Sequence, residues 1–95
     1  MNEYGSMARD HWRRWLPGRH AAIEDPDAFF AALGEEVAAE IAGLWAEMSI
    51  DAGNPLGEDF LERVGRLNAI RKQAEEIILA GRVLLPPEAG AEDDG

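Results

Sequence analysis

The chain has 95 residues, a formal net charge of −10 and no cysteine. A chain of this length forms one domain with a small core, because it buries only about two-thirds of the surface that its unfolded form exposes. The absence of cysteine excludes disulfides and thiolate chemistry, and no stretch resembles a membrane span or a secretory signal. We therefore expect a soluble, cytoplasmic protein with no membrane anchor.

Charge is arranged in blocks along the chain. Residues 1–20 carry four arginines and two acids, and residues 21–62 carry eleven acids and no base. Residues 63–85 have five bases and two acids, and four more acids follow from residue 86. Because proteins bind a phosphate backbone through clustered lysine and arginine, this overall acidity argues against nucleic acid as a partner.

The first segment, residues 1–24, is basic and bears two tryptophans. We expect a short helix from Ser6 to about residue 16, since Pro17 cannot continue a helix. Trp12 and Trp15 would then share one face of this helix.

Arg13 and Arg14 lie between the two tryptophans, and this pattern leaves two interpretations open. Arginines for phosphates beside aromatic rings for stacking suit single-stranded nucleic acid or an acidic protein groove. In the second interpretation, Trp12 and Trp15 pack inward on the following helices and the arginines face outward. We favour the second interpretation, because the neighbouring acidic block would repel nucleic acid.

The second segment opens with a strong helix start. Asp25 can cap the first turn, and Pro26 fits the first helical position. Apolar residues then recur in steps of three and four, which predicts a helix over 26–49. The residues of this stripe are Phe30, Leu33, Val37, Ile41, Leu44 and Met48.

A run of turn-forming residues, 51–57, precedes a second predicted helix over 58–85, which Pro86 ends. A short link between two long helices makes them antiparallel neighbours. The predicted fold class is therefore all-α, with a long antiparallel helical hairpin over 25–86 and the short N-terminal helix packed on it. Residues 87–95 are predicted to form a disordered acidic tail.

The register of the hairpin predicts ion pairs between its helices. If the chain turns near Gly53, Arg71 lies within reach of Glu36 and Glu40. We favour pairs that fix the register of the helices, and the alternative is an Arg71 that binds an anionic partner. The other residues predicted to form these pairs are Glu47, Arg63 and Arg66.

The open end of the hairpin has more apolar side chains than two helices can cover. Leu79 and Val83 are among them, and either the tryptophan-bearing segment or a second copy must cover them. We expect a homodimer that forms a four-helix bundle, or contact with another protein. Ala38 and Ala42 lie on a face of small residues, which is a further candidate interface.

We expect no catalysis, no cofactor and no metal. His11 and His20 have no carboxylate at the spacing of a Glu-x-x-His motif. Ser6 and Ser49 are the only serines, threonine is absent, and there is no glycine-rich phosphate loop.

Three stretches of the chain carry a family resemblance: HWRRWLPGRHAAI, DPDAFFAALGEEVAAEIAGL and VGRLNAIRKQAEEIIL. They resemble a family of small, uncharacterised acidic helical proteins encoded on mobile elements of high-GC bacteria. The resemblance covers residues 11–85 and includes no motif of known chemistry. It implies an accessory role in the maintenance or transfer of the element, or in evading host defence.

Three functions follow from these observations. The first is a non-catalytic interaction protein, homodimeric, that binds another protein through its apolar or alanine faces. The alternative is an inhibitor whose eleven-acid block imitates nucleic acid and occupies the basic cleft of a nuclease or DNA-binding protein. The second alternative is a nucleic-acid-binding regulator that uses the N-terminal arginines and tryptophans.

Overall fold

The computed structural model describes residues 1–53 and 55–91, and the regular structure in this part of the chain is entirely helical. The elements are α1 (Glu3–Trp15), α2 (Pro17–Ala21), α3 (Pro26–Ala52) and α4 (Phe60–Arg82). The predicted all-α class is therefore confirmed.

Each long helix begins next to a side chain that caps it. Asp25 accepts a backbone hydrogen bond from the first turn of α3 at 3.2 Å, and Pro26 takes the first helical position, as predicted. Asp59 and Glu62 form a capping box, in which each carboxylate accepts from the other residue's backbone N–H. Because Asp59 is the cap, α4 begins at Phe60, two residues later than predicted.

The ends of the helices differ more from the sequence prediction. α3 continues past Ser49 to Ala52 and ends at Gly53, whose φ of 69° favours glycine. α4 ends at Arg82, three residues before the predicted end. Pro17, which was predicted only to stop α1, also begins α2, because proline is favoured at the first position of a helix.

α1 crosses α3 at a pair of glycines. α1 begins at Glu3, earlier than predicted, because Asn2 caps it by accepting a hydrogen bond from Gly5 N at 2.9 Å. Asn2 also donates through Nδ2 to the carbonyl oxygen of Gly34 at 2.9 Å. A Cβ on Gly5 would lie 2.5 Å from the carbonyl oxygen of Phe30, and one on Gly34 would lie 2.8 Å from Gly5 N. The two backbones therefore approach so closely that only glycine fits at the crossing.

The core lies where α1 packs on α3 and on the residues that follow α4. The ring centres of Trp12 and Phe30 lie 5.4 Å apart. The Nε1 of Trp12 donates a hydrogen bond to the carbonyl oxygen of Val83 at 2.9 Å. Because Phe30 and Val83 are fully buried, Trp12 fills the space between the start of α3 and the end of α4. The buried residues of this core are Tyr4, Ala8, Trp12, Leu16, Phe30, Leu33, Val37, Ile41 and Val83.

The segment after α4 is hydrogen bonded to the N-terminal helices. The Glu88 carboxylate accepts from the backbone N–H groups of Gly18 and Arg19, both at 2.9 Å. The Glu88 N–H donates to the carbonyl oxygen of Trp15 at 2.9 Å. We call these three bonds the C-terminal clasp.

The clasp replaces part of the disordered tail that was predicted from residue 87. Residues 87–91 are held in place because Glu88 satisfies the free N–H groups in the first turn of α2. Residues 92–95 of the predicted tail lie outside the described residues.

α3 and α4 contact each other with opposite chain directions. Arg82 binds Glu36 and Glu40 near the start of α3, and the Arg71 guanidinium lies over the ring of Trp45 further along. The sequence prediction had placed Arg71 beside these two glutamates, and this pairing is wrong. Arg82 follows Arg71 by eleven residues, or about three turns, so the two arginines lie on the same face of α4. The face of α4 that meets the glutamates was therefore predicted correctly, but the position of α4 along α3 was not. α3 ends three residues later and α4 begins two residues later than predicted, which moves the midpoint of the connection and accounts for about half of this shift.

The two ends of the molecule are covered to different extents. α1 and the C-terminal clasp lie against the end that contains the start of α3, whereas α3 and α4 alone form the other end. The molecule measures 53 × 31 × 19 Å with a radius of gyration of 16.9 Å, against about 12 Å for a compact chain of this length. We call the less covered end, residues 44–53 and 55–67, the distal end. In the described ranges, no helix is long and apolar enough to cross a membrane.

We expect Gly34→Ala to destabilise the fold, because the added methyl group would push α1 away from α3. Overpacking of this kind costs about 1–3 kcal/mol, so thermal unfolding followed by circular dichroism should show a lower Tm. Gly43→Ala, on the same helix, is the control. No atom lies within 4 Å of its added Cβ, so its Tm should rise slightly, since alanine is the better helix former. Equal Tm values for the two variants would contradict the glycine crossing.

Candidate interaction surface

The core contains two of the residues that were predicted to form an interface. Trp12 is buried with its indole N–H hydrogen bonded, and Val83 is fully buried. Leu79 is half-buried against the same core. The predicted interface at Trp12 and Val83 is therefore corrected: these side chains pack α1 onto the end of α4.

The rest of the Arg/Trp segment is nearer the surface. Arg13 and Arg14 are exposed, and Trp15 is half-buried. Arg13 forms an ion pair with Asp10 at 3.0 Å, and the Arg14 guanidinium lies 4.5 Å from the centre of the Trp15 ring. With Trp12 in the core and Trp15 next to Arg14, this segment does not present a pair of free rings on which bases could stack.

Most residues predicted to form ion pairs do form them, but with other partners. Arg63 and Arg66 both bind Glu58, which precedes α4, and neither reaches Glu40 or Glu47. Among the described residues, Glu47 has no ion-pair partner. The pairs at the distal end are therefore local, within α4 and its cap, and they do not fix the register of α3 on α4.

The distal end exposes large apolar side chains. Phe60 and Leu61 at the start of α4 are 76% and 78% exposed, and Ile50 near the end of α3 is 78% exposed. Leu56 in the connection is fully exposed. Single exposed apolar residues are normal on a protein surface, whereas a group of them makes this end a candidate interaction surface.

Phe60 and Val64, which are exposed, lie on one line along α4 with Leu67, which is half-buried, and we call these three residues the distal strip. Their spacing of four and three residues places them on one helix face, and Arg71 continues the same face. Arg71 lies opposite Trp45, and seven residues from this contact towards the connection lead to Val64 on α4 and to Ala52 on α3. The end of α3 therefore lies level with Val64. Phe60 therefore projects beyond α3, which explains its exposure.

A cleft of about 250 Å³ lies at the inner end of the distal strip, where the first turn of α1 meets α3 and α4. It is lined by Tyr4, Ala38, Ile41, Ala42, Trp45 and Arg71. The predicted interface residues Ala38 and Ala42 therefore lie in its wall. Most of the lining is apolar and one side chain carries a permanent positive charge, so the cleft suits an apolar group with a carboxylate beside it.

The polar groups of the cleft are mainly donors. Arg71 lies 3.8 Å from Glu75, too far for a hydrogen bond, and 5.5 Å from the centre of the Trp45 ring. The Tyr4 hydroxyl donates to Glu75 at 3.1 Å. Burial, and then the nearby Glu75 carboxylate, raises the pKa of Tyr4, so this hydroxyl keeps its proton at neutral pH.

Trp45 has an unmet hydrogen bond. Its Nε1 is buried and finds no acceptor among the residues that the structure describes. A buried donor without an acceptor costs about 1–3 kcal/mol.

Glu58 holds the connection against α4. Its side chain is only 8% exposed and accepts two hydrogen bonds from Arg66, at 2.7 and 3.1 Å. These bonds, and then the charges of Arg66 and Arg63, lower the pKa of Glu58 below its ordinary value. The chain next to Phe60 is therefore anchored, and the distal end presents a defined surface.

The histidines have structural contacts. His11 Nε2 donates to the carbonyl oxygen of Leu85 at 2.8 Å, and the His20 ring stacks on Phe30 with centres 5.8 Å apart. Within the described ranges, no three histidine, aspartate or glutamate side chains are grouped so that they could hold a metal ion.

Sequence reasoning did not identify Tyr4 and Trp45, which line the cleft, or Gly34, which lets α1 pack closely on α3 beside it. Gly34 gave a usable signal, because a glycine inside a helix of strong helix formers indicates close backbone approach. Trp45 lies beside the predicted apolar stripe of α3, which placed it outside the expected core. Tyr4 gave no signal, since its partner Glu75 is 71 residues away.

Comparisons with protein-family models, with curated proteins and with solved structures find no match to this chain. Its function therefore has to be inferred from the distal strip, the cleft and their charges.

We expect Glu58→Gln to destabilise the protein at pH 7, because it removes the carboxylate that accepts from Arg66. A lowered pKa means that this stabilisation is complete above the ordinary value of 4.5 and is lost as pH falls through the lowered pKa. The difference in Tm between wild type and Glu58→Gln should therefore shrink as pH falls from 7 to about 3. Glu47→Gln, which removes an exposed carboxylate, is the control and should show no such difference. A Tm difference between wild type and Glu58→Gln that stays constant down to about pH 3 would contradict the role of Glu58.

Proposed function

We propose that this chain is a non-catalytic protein–protein interaction protein that acts as a homodimer, with the distal end as its interface. The observation that carries the proposal is the exposed distal strip beside an apolar cleft. A two-helix end with this much exposed apolar surface is a poor core by itself, and a second copy would complete a four-helix bundle.

The surface area of the chain supports the proposal. Its accessible surface is 6207 Å², whereas a compact monomer of 10.4 kDa exposes about 5,400 Å². The elongated chain thus exposes about 800 Å² more than a compact one of the same mass. This surplus is comparable to the roughly 800 Å² that each partner contributes to a standard interface.

The acidic-mimic alternative has less support from the structure. Glu36 and Glu40 belong to the acidic block, and both bind Arg82, while Glu58 binds Arg66. Part of the negative charge is thus neutralised within the molecule and is not available to a basic cleft. The nucleic-acid alternative is weakened because the core buries Trp12.

The family resemblance implies where such a dimer would act. A small dimeric protein without catalytic groups is well suited to an accessory role, in which it joins or blocks other proteins of a bacterial mobile element. We propose this setting on the resemblance alone.

The proposed dimer predicts that the mass in sedimentation equilibrium rises with concentration from 10.4 kDa to twice that value. Because apolar contacts depend little on salt, the dimer should persist at about 1 M salt, where charges are screened beyond about 3 Å. A mimic bound to its target would dissociate at this ionic strength. A mass that stays at the monomer value at every concentration would overturn the proposal.

Val64→Asp should prevent dimerisation without unfolding the chain, because it places a charge in the distal strip. Gln73→Asp is the matched control, since it introduces the same charge at an exposed position on another face of α4. Circular dichroism should show equal helicity in both variants, and only Val64→Asp should remain monomeric. Two variants with the same dissociation constant would exclude the distal strip as the interface.

A further inference from the structure

The exposed Phe60 ring at the distal end and the cleft at the inner end of the distal strip are complementary in size and chemistry. We infer that, in the dimer, the Phe60 side chain of each copy occupies the cleft formed by Tyr4, Trp45 and Arg71 of the other copy. This inference rests on the proposed function and specifies how the two copies are arranged.

The positions along α4 allow both contacts to form at once. Phe60 and Arg71 lie on the same helix face, eleven residues and about 16 Å apart. When two copies lie antiparallel across a twofold axis midway between these residues, each Phe60 reaches the other cleft. Val64, which is exposed where α3 ends, lies between the two contacts and packs on its counterpart, which gives a closed, isologous interface.

The size of the cleft favours one side chain over a free ligand. Its volume of about 250 Å³ is below the roughly 300–1,000 Å³ of small-molecule sites. It exceeds the about 150 Å³ that accommodates a benzene molecule. Phe60 is 76% exposed, the most exposed aromatic side chain among the described residues, and its ring matches this volume.

The charges favour the antiparallel arrangement. The tip, residues 51–62, contains four acids and no base. The part of α4 at the cleft, residues 71–76, contains two bases and two acids, so its charges balance. An antiparallel dimer places each acidic tip against this neutral part of α4, whereas a parallel dimer would bring two acidic tips together.

The hydrogen-bond donors at the cleft also favour Phe60 of a second copy as the occupant. Asp59 directly precedes Phe60 and Glu62 lies two residues after it, so Phe60 brings carboxylates with it. Each carboxylate has lone pairs beyond the one used in the capping box. They can accept from Arg71, whose side chain is exposed and lies 3.8 Å from Glu75, too far for a hydrogen bond.

The first test compares Phe60→Ala with Ile77→Ala by sedimentation equilibrium of the full chain. Both side chains are large, apolar and exposed, at 76% and 52%, and Ile77 lies on α4 outside the distal end and the cleft. Truncating a side chain that is anchored in a pocket should weaken the dimer by at least about thirtyfold, while Ile77→Ala should leave it close to wild type. Equal effects of the two variants would overturn the placement of Phe60.

The second test uses the absence of native cysteine, which allows unique cross-linking positions. A chain with Ala42→Cys is mixed with a chain with Leu61→Cys, and a cross-linker no longer than a phenylalanine side chain is added. The cleft wall and the residue next to Phe60 should join into a covalent dimer. Glu47→Cys mixed with Leu61→Cys is the control and should not react, because five residues turn α3 away by about 140°.

The outcomes separate this inference from the proposed dimer. A noncovalent dimer that forms no link between positions 42 and 61 would overturn the placement of Phe60 and leave the dimer intact. A chain that is monomeric in sedimentation would overturn both, and the cleft would then belong to a different occupant.

Discussion

The close crossing of α1 and α3 at Gly5 and Gly34 determines the rest of the structure. Because no side chain separates the helices at this point, Asn2 can cap α1 and also bind the carbonyl oxygen of Gly34. The same approach brings Trp12 within hydrogen-bond distance of Val83 and closes the core. Any side chain larger than hydrogen at the crossing would lift α1 away from all of these partners at once.

The lengths of the helices then decide where surface remains. α1 has 13 residues and α3 has 27, so α1 is about 20 Å long and covers about half of a helix of 40 Å. The cleft lies where α1 begins, with Tyr4 as its inner wall, and the distal strip lies beyond it. The candidate site is thus a consequence of a short helix packed on a long one.

The sequence predicted the helices well and their relative levels poorly. The capping signal at Asp25 and the apolar periodicity are local, so they could be found from the chain alone. The level of α4 on α3 depends on where the helices end, and an apolar stripe looks the same several turns further along. This is why Arg71 was assigned the glutamates that bind Arg82. The Tyr4 contact and the clasp at Glu88 join residues about 70 positions apart, and no local pattern indicates such pairs.

The position of Glu88 and Val83 in the chain has a consequence for synthesis. Trp12 and Gly18 find their partners about 70 residues later, and at 5–20 residues per second a ribosome needs about 4 to 14 s to add these. The glycine crossing requires no residue beyond 34, so α1 and α3 can meet while α4 is still being made. The indole N–H of Trp12 therefore lacks its carbonyl partner during this interval. The core closes only near the end of synthesis, after Val83 has been added.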